Sequence, residues 1–217
     1  MKKIVALLGD YYHQEEHARA ALLKALAEEL AEEQINLLFV KEPAALMEEL
    51  ANGTDAVILF ADNRRTDPVK QPDLCWLTTE CSERIVRYVE GGGGWLAWHS
   101  GLASYPADSG YVGMLRGYFL SHPAQNPVRY TPVGNREASE FELLLDEHYF
   151  VHCDEDNTEV YLRSTSVDGQ SVAGWRHPFG AGRVSCLTPA HRPEGLLDDH
   201  FIYWLNREIN WMIGSDV

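Results

Sequence analysis

The stretch Tyr88-Val89-Glu90-Gly91-Gly92-Gly93-Gly94-Trp95-Leu96-Ala97-Trp98-His99-Ser100-Gly101 decides the architecture. Residues from about Thr78 to Glu90 read as a long helix, and the four glycines end it. Trp95–His99 is an apolar run too short for a helix, so it reads as a strand buried on both faces. Ser100-Gly101 then turns the chain sharply. A residue at a strand-to-helix elbow is pushed out at the top of the sheet, where α/β hydrolases hold their nucleophile. Here that residue is His99. The glycine run is not a phosphate cradle, because it precedes a strand, whereas phosphate loops follow a strand and open a helix.

Outward from this stretch the same alternation repeats. Ile4–Leu8, Ile35–Val40 and Ala56–Phe60 are continuous apolar runs. A helical segment from about Glu15 to Glu33 separates the first two. A short helix, Pro43–Leu50, opens on proline and is closed by Asn52-Gly53. The first hundred residues thus read β-α-β-α-β-α-β, which predicts a parallel sheet with helices on both faces, a three-layer doubly wound α/β fold. Tyr105–Asn135 reads as loop-dominated, and Phe141–Tyr149 fits either a strand or a helix. Glu159–Ser166 and Ser171–Arg176 predict a late antiparallel hairpin about Val167-Asp168-Gly169-Gln170. Arg183–Leu187 is a further strand, and Asp198–Met212 an aromatic-rich helix whose Phe201, Tyr203, Trp204 and Trp211 suit a core or a subunit interface. A homo-oligomer therefore stays open. No repeat or linker divides the chain, so residues 1–217 read as one domain.

The 217 residues carry 18 Lys+Arg against 33 Asp+Glu, a formal charge of −15, with nine histidines. That balance excludes a nucleic-acid partner held by bulk charge and disfavours an anionic membrane surface. The apolar run after Lys2-Lys3 is shorter than a signal peptide needs, and none approaches the roughly 20 residues of a membrane span. Cys75, Cys81, Cys153 and Cys186 show no C-x-x-C spacing and read as reduced thiols. A cytoplasmic location is the expectation.

Ligands of open parallel sheets bind outside the carboxyl ends of the strands. The loops there offer His13 after the first strand, Asp62-Asn63 after the third, His99 after the fourth and His191 after Arg183–Leu187. Three of the four deliver a histidine to one rim. His13-Gln14-Glu15-Glu16-His17 also matches H-x-x-E-H, but it straddles a loop and a first helical turn, and chance explains so short a pattern.

The chain resembles the ThuA-like (trehalose-utilisation) family, whose members have the class I glutamine amidotransferase-like fold. The resemblance rests on Tyr88–Ser100, Leu115-Arg116-Gly117-Tyr118-Phe119-Leu120-Ser121-His122-Pro123, Asp146-Glu147-His148-Tyr149 and Val172-Ala173-Gly174-Trp175-Arg176-His177-Pro178-Phe179-Gly180-Ala181-Gly182-Arg183-Val184. It implies a carbohydrate-like small-molecule ligand. In the amidotransferases the elbow carries a catalytic Cys, and a late strand ends in His followed by Pro-Glu. Here the elbow holds His99, and His191-Arg192-Pro193-Glu194 is similar with one residue inserted. Without that Cys a glutaminase thioester cannot form.

Two chemistries remain open for this set. His99, His122, His191 and Glu147 suit Zn²⁺ or another divalent ion. The same groups, with His99, His191 and Glu147 in catalytic roles, suit metal-free acid–base work. His13, Arg116, Tyr149 and His177 are the candidate substrate contacts, and no nucleotide cofactor is expected. The function read here is hydrolase- or isomerase-type chemistry on a sugar derivative, the alternative a non-catalytic binding or regulatory protein.

Overall fold

The computed structural model describes residues 1–134 and 139–215. In chain order the elements are β1 (Lys2–Leu8), α1 (Glu15–Ala25), α2 (Ala27–Ala31), β2 (Ile35–Val40), α3 (Pro43–Glu49), β3 (Ala56–Phe60), α4 (Thr79–Glu90) and β4 (Gly94–Trp98). There follow α5 (Gly110–Leu115), β5 (Gly117–Ser121), β6 (Asn126–Pro132), β7 (Phe141–Asp146) and β8 (Phe150–Cys153). The chain continues with β9 (Glu159–Ser166), β10 (Gly169–Phe179), β11 (Gly182–Leu187), α6 (Pro193–Leu196) and α7 (Asp199–Met212).

One nine-stranded sheet runs β2-β1-β3-β4-β11-β10-β9-β6-β7, and β5 pairs with β8 beside it. β2, β1, β3, β4 and β11 are mutually parallel, while β10, β9, β6 and β7 continue the sheet in antiparallel pairings. The three-layer α/β expectation and the β9–β10 hairpin are both present. Continuous apolar runs are explained by β1 itself. Ile4, Ala6 and Leu8 pack into one core with Ala18, Leu22 and Phe201, whereas Val5 and Leu7 pack into a second core with Leu46, Ile85 and Val89. A strand sandwiched this way has no polar face to show.

Differences from expectation follow from long-range pairing. Residues 105–134 are not mainly loop: they contain α5, β5 and the whole of β6, and β6 gains its partners from β9 and β7, while Asn135 lies outside the described residues. Phe141–Asp146 is a strand. The first helix ends at Ala25, and Leu26 separates it from α2. Of the terminal aromatics, Phe201 and Trp204 are fully buried and Tyr203 is 44% exposed. Thr78 caps α4, its hydroxyl accepting from the Cys81 amide at 3.1 Å. Among the described residues no helix is long and apolar enough to cross a membrane.

The elbow is the fold's main contribution to the site. β4 ends at Trp98, and His99 opens a short 3-10 turn, His99–Leu102, with φ +46°. An L residue held in the left-handed region is uncommon and costs energy that the surroundings must outweigh. Gly101 lets the turn sit down on β3: a Cβ there would lie 2.2 Å from the Leu59 carbonyl oxygen.

Candidate functional site

Each functional side chain leaves a strand at the same rim. His99 follows β4. Its ring stacks on Tyr149 (centroids 4.1 Å, 22°), and its Nδ1–H donates to the Thr188 carbonyl at 2.6 Å. That bond assigns the proton to Nδ1 and leaves a lone pair on Nε2, which is buried and has no hydrogen-bond partner.

His191 lies beyond β11. Its backbone N–H donates to Asp146 Oδ1 at 2.8 Å, tying the β11 loop to the carboxyl end of β7. Asp146 also accepts from the Tyr130 hydroxyl at 2.7 Å, and burial raises its pKa. That anchor places the next residue, Glu147, over the rim.

Glu147 Oε2 stands 3.3 Å from His191 Nδ1, 3.6 Å from His99 Nε2 and 3.9 Å from His122 Nε2. Only 12% of the Glu147 side chain is exposed. Burial pushes its pKa up, but the facing His99, and after it His191 and His122, outweigh this and hold it at about 2. Burial and then the neighbouring His99 lower His191 to about 4, so its ring is neutral at pH 7.

His13 completes the group from the loop after β1. Its Nδ1 contacts both Asp10 carboxylate oxygens, at 2.7 and 2.9 Å, and its Nε2 is buried without a hydrogen-bond partner. One donor atom each from His13, His99, Glu147 and His191 lie within 4.8 Å of one another. Three partnerless ring nitrogens and a carboxylate aimed at one point form a three-nitrogen, one-oxygen donor set.

A small cavity of about 190 Å³ adjoins the His13–His191 side, lined also by Tyr12, Gln14, His17, Phe60 and Arg192. A larger cavity of about 610 Å³ lies elsewhere, between Leu77–Arg87 and Pro106–Gly110, and none of the four donors lines it. The convergent groups mark the chemistry, so the small cavity is the relevant one.

A family model described as trehalose utilisation matches residues 4–212. The chain belongs to the ThuA family. Among solved structures it is similar to a ThuA-like protein from Parabacteroides merdae (TM-score 0.76, 14% identity, covering 100% of this chain and 91% of that one). A ThuA-like protein from Bacteroides uniformis is comparable (TM-score 0.73, 15% identity, 99% and 92% covered). The β-galactosidase of Bacillus circulans shares the fold over 98% of this chain but 31% of its own (TM-score 0.65, 12% identity). No curated protein matches the sequence.

In this ThuA-family chain the predicted residues divide. His99, Glu147 and His191 come together, with Tyr149 packed beneath His99. Burial, then the Glu147 charge, raises the Tyr149 phenol well above its ordinary pKa, so it stays neutral. His122 stays at the margin: 39% of its side chain is exposed, its Nδ1 contacts the Pro123 carbonyl at 2.8 Å, and it lies outside the four-donor group. His13, expected as a substrate contact, takes the fourth place instead.

Arg116 and His177 are not brought to this group. Arg116 ends α5 at φ +56° and donates to the Asn157 carbonyl, while His177 on β10 is held by the Met114 carbonyl at 2.9 Å. Sequence reasoning missed Asp10 as the partner of His13. The available signal was a carboxylate three residues before a histidine in one βα loop.

His177 carries a pH prediction. Burial, then the Arg116 charge, lowers its pKa from the ordinary 6.5 to about 4. Between those values the unfolded chain binds the proton and the folded chain does not, so stability present above pH 6.5 is lost as pH falls through 4. The urea midpoint is expected to drop across this window, and His177→Leu to drop less. His191 adds to the wild-type slope with the same sign.

Proposed function

We propose that this ThuA-family protein is an enzyme whose His13, His99, His191 and Glu147 hold a divalent metal ion. Its chemistry is hydrolytic or isomerising, and its substrate a sugar or sugar-derived small molecule. One observation carries the reading: three buried imidazole nitrogens without hydrogen-bond partners converge with an ionised carboxylate. Leaving such groups unpaired costs about 1–3 kcal/mol each, a penalty that a shared cation removes. The donors fit. Ligands about 2.0–2.1 Å from a tetrahedral Zn²⁺ are about 3.4 Å apart, and Glu147 lies 3.3 and 3.6 Å from the His191 and His99 nitrogens. Imidazole and carboxylate together suit Zn²⁺ and neighbouring first-row ions better than Mg²⁺ or Ca²⁺.

Such an ion, when bound, supplies Lewis acidity and lowers the pKa of a water molecule at the site. The chain's own residues do the rest. Glu147, ionised at neutral pH, offers Oε2 to the ion as its negatively charged ligand. His191 lines the cavity from which a ligand approaches, and Tyr12, Gln14, His17 and Arg192 offer it hydrogen-bonding groups. The family description supports the carbohydrate class. Glutaminase chemistry has no nucleophile here, because the elbow carries imidazole. Cys186, on β11, is buried with a thiol pKa raised well above its ordinary value.

Elemental analysis of protein purified without an affinity tag is expected to find about one first-row divalent ion per chain. A chelator should remove it, lower Tm, and have its effect reversed by the same ion. Protein that stays metal-free after incubation with Zn²⁺, Mn²⁺, Co²⁺ and Fe²⁺ would sink the metal centre.

A further inference from the structure

The Asp10 carboxylate has no exposed surface, and four N–H groups converge on it. Oδ1 accepts from the backbone of Tyr12 at 2.9 Å and of His13 at 3.1 Å, while Oδ2 accepts from the Asp62 backbone at 2.8 Å. The fourth contact is the His13 ring, whose Nδ1 lies 2.7 and 2.9 Å from the two oxygens. An ionised carboxylate can only accept, so the His13 proton must sit on Nδ1. The Nε2 lone pair is then presented to the donor group, where the His13 ring stands 5.0 Å from His99 and 4.9 Å from His191 between centroids.

The rings are unequally supported. His99 leans on the neutral Thr188 carbonyl, and His13 on a buried anion. A charge-assisted bond is about twice as strong as a neutral one, and it raises the basicity of the opposite ring nitrogen. The three backbone donors hold the carboxylate itself from both sides, two from its own turn and one from the loop after β3. The support is therefore rigid.

We propose that Asp10 is a positioning residue: it fixes the tautomer and orientation of His13 and makes His13 the anchoring ligand of the metal centre. The inference rests on the metal reading above, and it extends the site to a residue that touches neither ion nor substrate.

The test uses the full chain stripped of metal, with Zn²⁺ affinity measured by competition with a chromophoric chelator. Asp10→Asn is expected to weaken binding about 10- to 100-fold, the usual effect of losing the partner behind a metal-binding histidine. Asp10 also organises its turn, so the same substitution is made in a His13→Ala background. If Asp10 acts through His13, it costs little there, whereas a merely structural role would cost the same factor in both. Nitrogen-15 chemical shifts of His13 in the metal-free protein give a readout independent of the ion. Nδ1–H is expected in the wild type and a mixed tautomer in Asp10→Asn. Unchanged affinity, an equal loss in the His13→Ala background, or an Nε2–H tautomer in the wild type overturns the proposal. A wild type with the expected tautomer that binds no Zn²⁺ overturns the anchoring role through the metal reading itself.

Discussion

His99→Ala is expected to lower Zn²⁺ affinity by more than about 100-fold, beyond the 10- to 100-fold range for losing a ligand's supporting partner. The substitution removes one of four converging protein donors, and water, a weaker ligand than a fixed imidazole, must take its place on the ion. The metal-free protein should tolerate it better than a buried aromatic position suggests. Opposing terms decide this. Removing a ring packed on Tyr149 and Phe60 leaves a cavity and takes away the donor to the Thr188 carbonyl. Against that, the ring's Nε2 is a buried group without a hydrogen-bond partner, and its removal relieves about 1–3 kcal/mol. The expected signature is a Tm near that of metal-free wild type, together with loss of the rise in Tm that added Zn²⁺ gives the wild type. A variant still stabilised by Zn²⁺ to the wild-type extent would remove His99 from the centre. Glu147→Gln, which keeps shape and removes charge, should weaken binding in the same direction.

The second large effect is expected one residue earlier. Trp98 is fully buried between Phe60 (4.4 Å) and Phe201 (5.7 Å), and its indole N–H donates to the Pro189 carbonyl at 2.7 Å. Trp98→Ala should cost about 3–5 kcal/mol, a large share of the roughly 5–15 kcal/mol that keeps a domain folded. The hydrogen bond makes the effect functional as well. Trp98 precedes His99, and Pro189 lies two residues before His191, so one side chain pins both ligand-bearing segments. Trp98→Phe retains most of the packing and removes the donor. It should cost less in urea midpoint than Trp98→Ala while still weakening Zn²⁺ affinity. If Trp98→Phe binds Zn²⁺ like the wild type, the pin has no role in holding the site.

The parallel half of the fold was legible because its strands are covered on both faces. Burial on two sides forbids polar residues, so β1, β3 and β4 appear as unbroken apolar runs between amphipathic helices. The other half was less legible. β6 and β7 alternate between buried and exposed positions, and β5 has two exposed residues at its end. Strands of this kind owe their existence to partners far away in the chain, such as β9 for β6. Local pattern carries little of that information.

The candidate site divides in the same way. His13, His99 and His191 were readable at one rim because parallel topology sends the loops after β1, β4 and β11 there. That His13 and not His122 joins the donor group was not readable, because it is set by contacts between loops distant in sequence. The separations that group Glu147 with His99 and His191 span more than forty residues of chain.

By itself, then, the sequence determined the parallel α/β core, the elbow at His99 and the family, since each is written in local runs and ordered motifs. Tertiary structure alone decided that His13, rather than His122, stands with His99, His191 and Glu147. It also decided that Asp10 stands behind His13. Those outcomes depend on where β7 ends against the β11 loop, and on which ring nitrogens are left without hydrogen-bond partners.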